Sequence, residues 1–258
     1  MIAAALITGG AVRLGQAMAL HLARRGADVV VHYASSEGPA AAVVAEARAL
    51  GVNAVALQAD LLDAGAVAEL VPRAAEALGK PLDVLVNNAS IFEYDNLESA
   101  TPESWARHVD SNLRAPVFLT QAFAAQAPEL GSDGEPLALA NVINMIDQRV
   151  RKPTPEFMTY SVAKAGLWAF TKTAAQALAP RIRVNGIGPG PTMRGTRQSE
   201  EHFANQRKAT ILGRGSDPSE ICRALDFILD SPGFTGQLLC MDGGQHLAWQ
   251  TPDILGPE

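Results

Sequence analysis

The chain has 258 residues, 48% of them hydrophobic, which is enough to bury a substantial core within one α/β domain. A net charge of −6, without any basic cluster interleaved with aromatics, argues against a nucleic-acid-binding or anionic-membrane surface. The two cysteines, Cys222 and Cys240, lie far apart in apolar surroundings with no CxxC or Cys/His spacing, so reduced core side chains and no metal are expected.

Residues 1–7 are apolar, but they lack a basic n-region, and Thr8-Gly9-Gly10 interrupts them far short of a membrane-spanning length. A cytoplasmic protein is expected. From there, short apolar runs alternate with longer helical patterns. Strands are predicted over 4–8, 28–32, 54–58, 84–87, 138–145, 183–186 and 237–241. Helical patterns cover 14–25, 38–50, 64–78, 105–125, 160–178 and 219–229. Several strands are rich in Val, Ile and Leu without alternation, as strands covered on both faces are. This order predicts an α/β fold: a doubly wound parallel sheet of seven strands with helices on both faces, because right-handed crossovers need a helix. No repeat or low-complexity linker divides the chain, so 1–258 is read as a single domain. The stretch 128–136 holds Gly131, Gly134 and acidic residues and reads as a surface loop. The loop-rich segment 188–214 follows the sixth strand, where ligands bind in such sheets, and is read as a substrate lid.

After the first strand, Thr8-Gly9-Gly10-Ala11-Val12-Arg13-Leu14-Gly15 leads into a helix. Glycines there allow a tight turn and let a pyrophosphate approach the N–H groups of the helix N-terminus, as in a Rossmann-type dinucleotide site. At the end of the second strand, Val31-His32-Tyr33-Ala34-Ser35-Ser36 offers no acidic side chain for the ribose hydroxyls; the first is Glu37. Arg13, Ser35 and Ser36 are instead suited to a 2′-phosphate, unless Arg13 is only a solvated surface charge. NADP(H) is therefore the expected cofactor.

Tyr160-Ser161-Val162-Ala163-Lys164 sets a phenol and an ammonium four residues apart on one helical face. A neighbouring cation favours the phenolate and draws the tyrosine toward acid–base work. With the glycine turn, with Asp60 after the third strand, Asn87-Asn88-Ala89 after the fourth, Asn112, Pro189-Gly190 and Met241-Asp242-Gly243-Gly244, the chain resembles the short-chain dehydrogenase/reductase family from residue 4 to residue 244. The resemblance implies that Asp60 contacts the adenine region and that Asn88 shapes the nicotinamide side. It also implies that Asn112 helps hold a proton-relay water near Lys164, and that Lys164 bonds the nicotinamide ribose. The implied cofactor contacts are Thr8, Gly9, Arg13, Leu14, Gly15, His32, Tyr33, Ser35, Ser36, Asp60, Leu61, Asn88, Ala89, Ser90, Met145, Tyr160, Lys164, Pro189 and Gly190.

One position departs from the family's commonest pattern. Where a serine is expected to bind a substrate carbonyl, Asp147 stands thirteen residues before Tyr160. An ionised carboxylate accepts hydrogen bonds and donates none, so it suits a substrate that presents N–H groups; the alternative is a simple loop cap. The set Asp147, Tyr160 and Lys164, with Arg13 and Asn88-Ala89-Ser90-Ile91-Phe92, is similar to the pteridine reductase and dihydromonapterin reductase branch. That likeness implies that Ser90 bonds a pterin and that Phe92 stacks on it; the bland alternative for Phe92 is ordinary packing. NADPH-dependent reduction of a pterin C=N bond is the expected activity. A carbonyl reductase acting on 3-oxoacyl or sugar-like substrates, and a non-catalytic NADP-binding module, stay open beside it. A homotetramer is expected, because helices 105–125 and 160–178 are more apolar than one buried face requires and family members commonly pair through them.

Overall fold

The structure is a computed structural model in which residues 2–195 and 198–249 are described. Residues 196 and 197 of the expected lid, and the ends of the expected 1–258 domain, lie outside the described residues. The chain alternates β1 (Ala4–Ile7), α1 (Arg13–Arg24), β2 (Asp28–Tyr33), α2 (Glu37–Ala49), β3 (Ala54–Gln58), α3 (Ala64–Leu78) and β4 (Val84–Asn87). The second half holds α4 (Pro102–Val109), α5 (Ala115–Gln126), β5 (Gly131–Ser132), β6 (Pro136–Leu137), β7 (Ala140–Met145) and α6 (Met158–Leu178). It closes with β8 (Ile182–Pro189), α7 (Glu200–Lys208), α8 (Pro218–Asp230) and β9 (Leu238–Met241).

Seven strands form one parallel sheet in the order β3-β2-β1-β4-β7-β8-β9. Because successive side chains point to opposite faces, each central strand feeds both layers. In β1, Ala5 and Ile7 join a core with Met18, Val43 and Leu225 from α1, α2 and α8. Ala4 and Leu6 join another with Leu70, Leu119 and Phe123 from α3 and α5. This double burial is why the strands read as continuous apolar runs. The winding reverses between β1 and β4, which opens a crevice beyond their carboxyl ends.

Three segments differ from the expected elements. The loop at 128–136 contains a small antiparallel hairpin, β5 with β6, separate from the main sheet. The single helix expected at 105–125 starts earlier, because Thr101 and Ser104 form a capping box. It is also interrupted by a π turn at Asp110–Arg114. Within the expected lid, α7 forms with Ser199 accepting from the His202 N–H at 3.1 Å, Glu200 and Glu201 in its first turn and Arg207 and Lys208 in its last. It buries no residue, so no apolar period announces it. Among the described residues, no helix is long and apolar enough to cross a membrane.

Candidate active site

The crevice holds a cavity of about 670 Å³ that runs from the glycine turn to the N-terminal end of α6. Gly9 has φ +59°, a left-handed conformation that glycine adopts without cost. A Cβ on Gly15 would lie 2.0 Å from the Gly9 carbonyl oxygen and 2.6 Å from Asn88 Nδ2, so only glycine fits. Asn88 Nδ2 donates to the carbonyls of Thr8 and Gly9, and the Thr8 hydroxyl accepts from the N–H groups of Asn88 and Ala89. The turn is thereby fastened to the end of β4. Val12 supplies no side-chain cap and the first turn of α1 has no acidic residue, so free N–H groups and the positive end of the helix dipole are available to an anion.

His32 braces the same turn. The Gly9 N–H donates to His32 Nδ1 at 3.0 Å, so Nε2 carries the proton and donates to the Ala59 carbonyl at 3.1 Å. Burial pushes its pKa down to about 4, which keeps the ring neutral. Arg13 begins α1 with φ +57°, and its guanidinium donates to the carbonyls of Arg194 (2.7 Å) and Met193 (3.2 Å), tying the turn to the lid segment.

At the other end, Tyr160 and Lys164 sit one turn apart on α6, both buried. The Tyr160 phenol donates to Asp147 Oδ2 at 2.9 Å, and the Lys164 ammonium donates to the Met145 carbonyl at 2.7 Å. Asp147 Oδ1 accepts from the Arg149 N–H at 2.8 Å, so the carboxylate caps its own turn and faces the phenol at once. Burial pushes Asp147 above the usual carboxylate range and Lys164 down to about 8. Burial and then the Asp147 charge push the phenol well above 10. The cation four residues on, expected to draw the phenol down, does not outweigh burial and the Asp147 charge in this structure. The Ser90 hydroxyl faces the phenol as well, and acts in the opposite direction.

Phe92 forms the aromatic wall. Its ring meets Tyr160 edge-on at 4.7 Å and stacks on Phe157 at 4.2 Å and 7°. Behind the wall runs a buried polar chain: the Glu93 N–H donates to His108 Nε2, His108 Nδ1 donates to Thr159 Oγ1, and Thr159 donates to Asp95. Asp95 Oδ1 also accepts from the Thr159 N–H at 3.1 Å, which anchors the first turn of α6 beside Tyr160. Phe157, His108, Thr159 and Asp95 had no motif or period to mark them in the sequence; only the closeness of Phe157 and Thr159 to Tyr160 gave a signal.

Of the expected site residues, the cavity wall takes in Gly9, Arg13, Leu14, Gly15, His32, Asp60, Leu61, Asn88, Ala89, Ser90, Phe92, Met145, Asp147, Tyr160, Lys164, Pro189 and Gly190. Thr8, Tyr33, Ser35, Ser36 and Asn112 are not among the residues lining it. Thr8 acts from behind, through Asn88. Asn112 lies on the π turn with its side chain committed to the Ile91 backbone, accepting from N–H at 2.9 Å and donating to C=O at 2.8 Å. Its side chain thereby holds the Ser90–Phe92 segment.

A doubly wound sheet with a glycine turn at its switch point and a buried tyrosine–lysine pair across the crevice defines a dinucleotide-dependent oxidoreductase. The family profile described as enoyl-(acyl carrier protein) reductase matches residues 10–246, and the chain belongs to the short-chain dehydrogenase/reductase family. A solved structure of the FolM alternative dihydrofolate reductase 1 from Brucella suis, in complex with NADP, is similar with 40% identity and a TM-score of 0.91. The match covers 98% of this chain and 100% of that one. A 3-oxoacyl-[acyl-carrier-protein] reductase from Synechocystis shares 36% identity over 245 residues, covering 93% of this chain and 95% of that protein. An L-rhamnose 1-dehydrogenase (NAD(P)(+)) from Sphingomonas shares 31% over 255 residues, covering 95% and 96% respectively.

Proposed function

We propose that this oxidoreductase reduces a C=N bond of a pterin with NADPH. The observation that carries the reading is the 2.9 Å hydrogen bond from the Tyr160 phenol to Asp147, a half-buried carboxylate standing where a carbonyl substrate would need a hydroxyl donor. The aromatic face of Phe92 beside it suits a flat heterocycle. The similarity to the Brucella dihydrofolate reductase with NADP supports both the cofactor and the substrate class.

The cradle fits a dinucleotide: the glycine turn lies where any Cβ on Gly15 would strike the Gly9 carbonyl, and the N-terminus of α1 is free of acidic residues. The absence of a carboxylate between Tyr33 and Glu37 favours NADPH over NADH. Bound NADPH supplies a hydride from C4 of its nicotinamide. The chain's own residues then handle orientation and the proton. For reduction at C7, Tyr160 gives its proton to N8; Asp147 orients the phenol, and a proton drawn from water restores the phenol through that carboxylate. For reduction at C6, the N5 proton comes from water. Lys164 keeps a positive charge beside the phenol as the proton leaves, which stabilises the developing phenolate. Asp147 accepts from N–H groups of the ring.

The second reading is a carbonyl or sugar dehydrogenase, which the Synechocystis and Sphingomonas relatives favour. Exchange of hydrogen-bond sign separates the two. An Asp147→Ser variant should shift the kcat/KM ratio from a dihydropterin toward a small activated ketone by about tenfold or more, since a mispaired buried group costs roughly 1–3 kcal/mol. An unchanged ratio means that Asp147 does not read the substrate, and the carbonyl reading replaces the pterin reading.

A further inference from the structure

Three arginines line the cavity wall: Arg13, Arg107 and Arg149. Two are committed. Arg13 donates to the carbonyls of Met193 and Arg194, and Arg107 grips Glu93 through Nη2 at 3.0 Å and Nε at 3.3 Å. Arg149 is different. Its guanidinium lies 5.1 Å from the centroid of the Phe157 ring and donates once, from Nη1 to Thr154 Oγ1 at 2.8 Å. Among the described residues no ion pair within 4.0 Å is made to it, and its charge acts from farther off on Asp147 and Tyr160. Its backbone is fixed by the Asp147 carboxylate, and Phe157 beneath it stacks on Phe92. A guanidinium has five N–H donors in a fork that matches carboxylate and phosphate oxygens, and on a partly desolvated wall such a bond is charge-assisted.

We propose that Arg149 is a specificity-determining residue that binds an anionic group on the substrate's side chain, so that the substrate is a pterin bearing a carboxylate or a phosphate. The inference rests on the pterin reading above. Phe92 and Arg149 both line the cavity, and Phe157 joins them from behind the wall, stacked on Phe92 and lying beneath the guanidinium. Phe157 thus positions the guanidinium on the wall, and Arg149 meets the charge of a substituent leaving a ring held at Phe92 and Tyr160. The cation–π contact with Phe157 pre-orients the guanidinium and lowers the entropy lost when the anion is bound.

The test compares three substrates with NADPH: a neutral dihydropterin, a dihydropterin whose side chain ends in carboxylates (dihydrofolate), and one carrying a phosphate monoester. In Arg149→Met, which keeps an unbranched apolar stem over Phe157, the kcat/KM ratio of acidic to neutral substrate should fall about tenfold, the loss of one charge-assisted hydrogen bond. The loss should lie in KM rather than kcat. Arg149→Lys, which keeps the charge but not the fork, should recover part of it. A fall for dihydrofolate alone, or for the phosphate ester alone, assigns the anion. An unchanged ratio for both acidic substrates, including a uniform loss on all three, overturns the role of Arg149 while leaving the pterin reading intact. If the parent protein reduces none of the three, the pterin reading fails, and this inference falls with it.

Discussion

Lys164 carries a charge that burial opposes, and the two consequences of that conflict run in opposite directions with pH. Its pKa is pushed down to about 8 from 10.5, so the ammonium that neighbours the phenol is lost as pH rises through about 8. Activity needs that ammonium, and kcat/KM should therefore fall above about pH 8, read from a pH–rate profile. Stability has the other sign. Between about pH 8 and 10.5 the unfolded chain binds more protons at this site than the folded one, so Lys164 makes the fold more stable as pH rises across that window. Denaturation at pH 8 and pH 10, compared between the parent and Lys164→Met, isolates this contribution; a variant with the same activity profile as the parent would clear Lys164 of the role. Tyr160 stands at the other side of the proton path. Tyr160→Phe should lower turnover by roughly 10²–10⁴-fold while cofactor affinity, followed by fluorescence titration, changes little, because the phenol moves a proton whereas the glycine turn holds the dinucleotide. A Tyr160→Phe protein with a near-normal rate would remove the phenol as proton donor.

At the scale of elements, the loop between β1 and α1 depends on a clamp from β2. His32 is neutral in the fold, with a pKa of about 4 against an ordinary 6.5, and both of its nitrogens are used, by the Gly9 N–H and the Ala59 carbonyl. The unfolded chain takes up a proton below about pH 6.5 while the folded chain resists until about pH 4, so stability is lost as pH falls across that window, by about 3 kcal/mol if the whole shift is expressed. His32→Gln should flatten this acid limb in urea denaturation measured from pH 7 to pH 4.5; an unaltered limb would assign it to other groups. The clamp also marks where sequence reading stops. The seven parallel strands were legible because burial on both faces writes them as apolar runs, and Tyr160, Lys164 and Gly15 because chemistry or space constrains the residue type locally. His32 was placed at the right strand end, but as a cofactor contact. Its bracing role depends on Gly9 and Ala59, each more than twenty residues away, and no local pattern carries such a contact. The helix α7 escaped because it buries nothing, and Phe157 because its value lies in stacking on Phe92, sixty-five residues earlier.

For the molecule as a whole, the helices on one side of the sheet carry more apolar surface than the sheet covers. Along α6, Leu167, Thr171, Ala174 and Ala175 are buried, whereas Val162 remains 46% exposed. Trp105 on α4 is 47% exposed and Phe118 on α5 48% exposed. Single exposed apolar residues are ordinary, but a tryptophan, a phenylalanine and a valine on three helices that pack together form the kind of surface that closed symmetric oligomers bury. A two-fold axis beside these helices would bring each residue against its own copy or a neighbour, and a second axis would complete a tetramer. The consequence for the site is direct, because α4 and α6 meet at the buried chain of His108, Thr159 and Asp95 behind Tyr160. Light scattering at micromolar concentration should give about four times the 27.2 kDa chain mass. Phe118→Glu, which sets a charge on that surface, should lower the mass, and with it the thermal midpoint, since association stabilises the folded chain by mass action. A parent protein that scatters as a single chain would show that these helices face solvent.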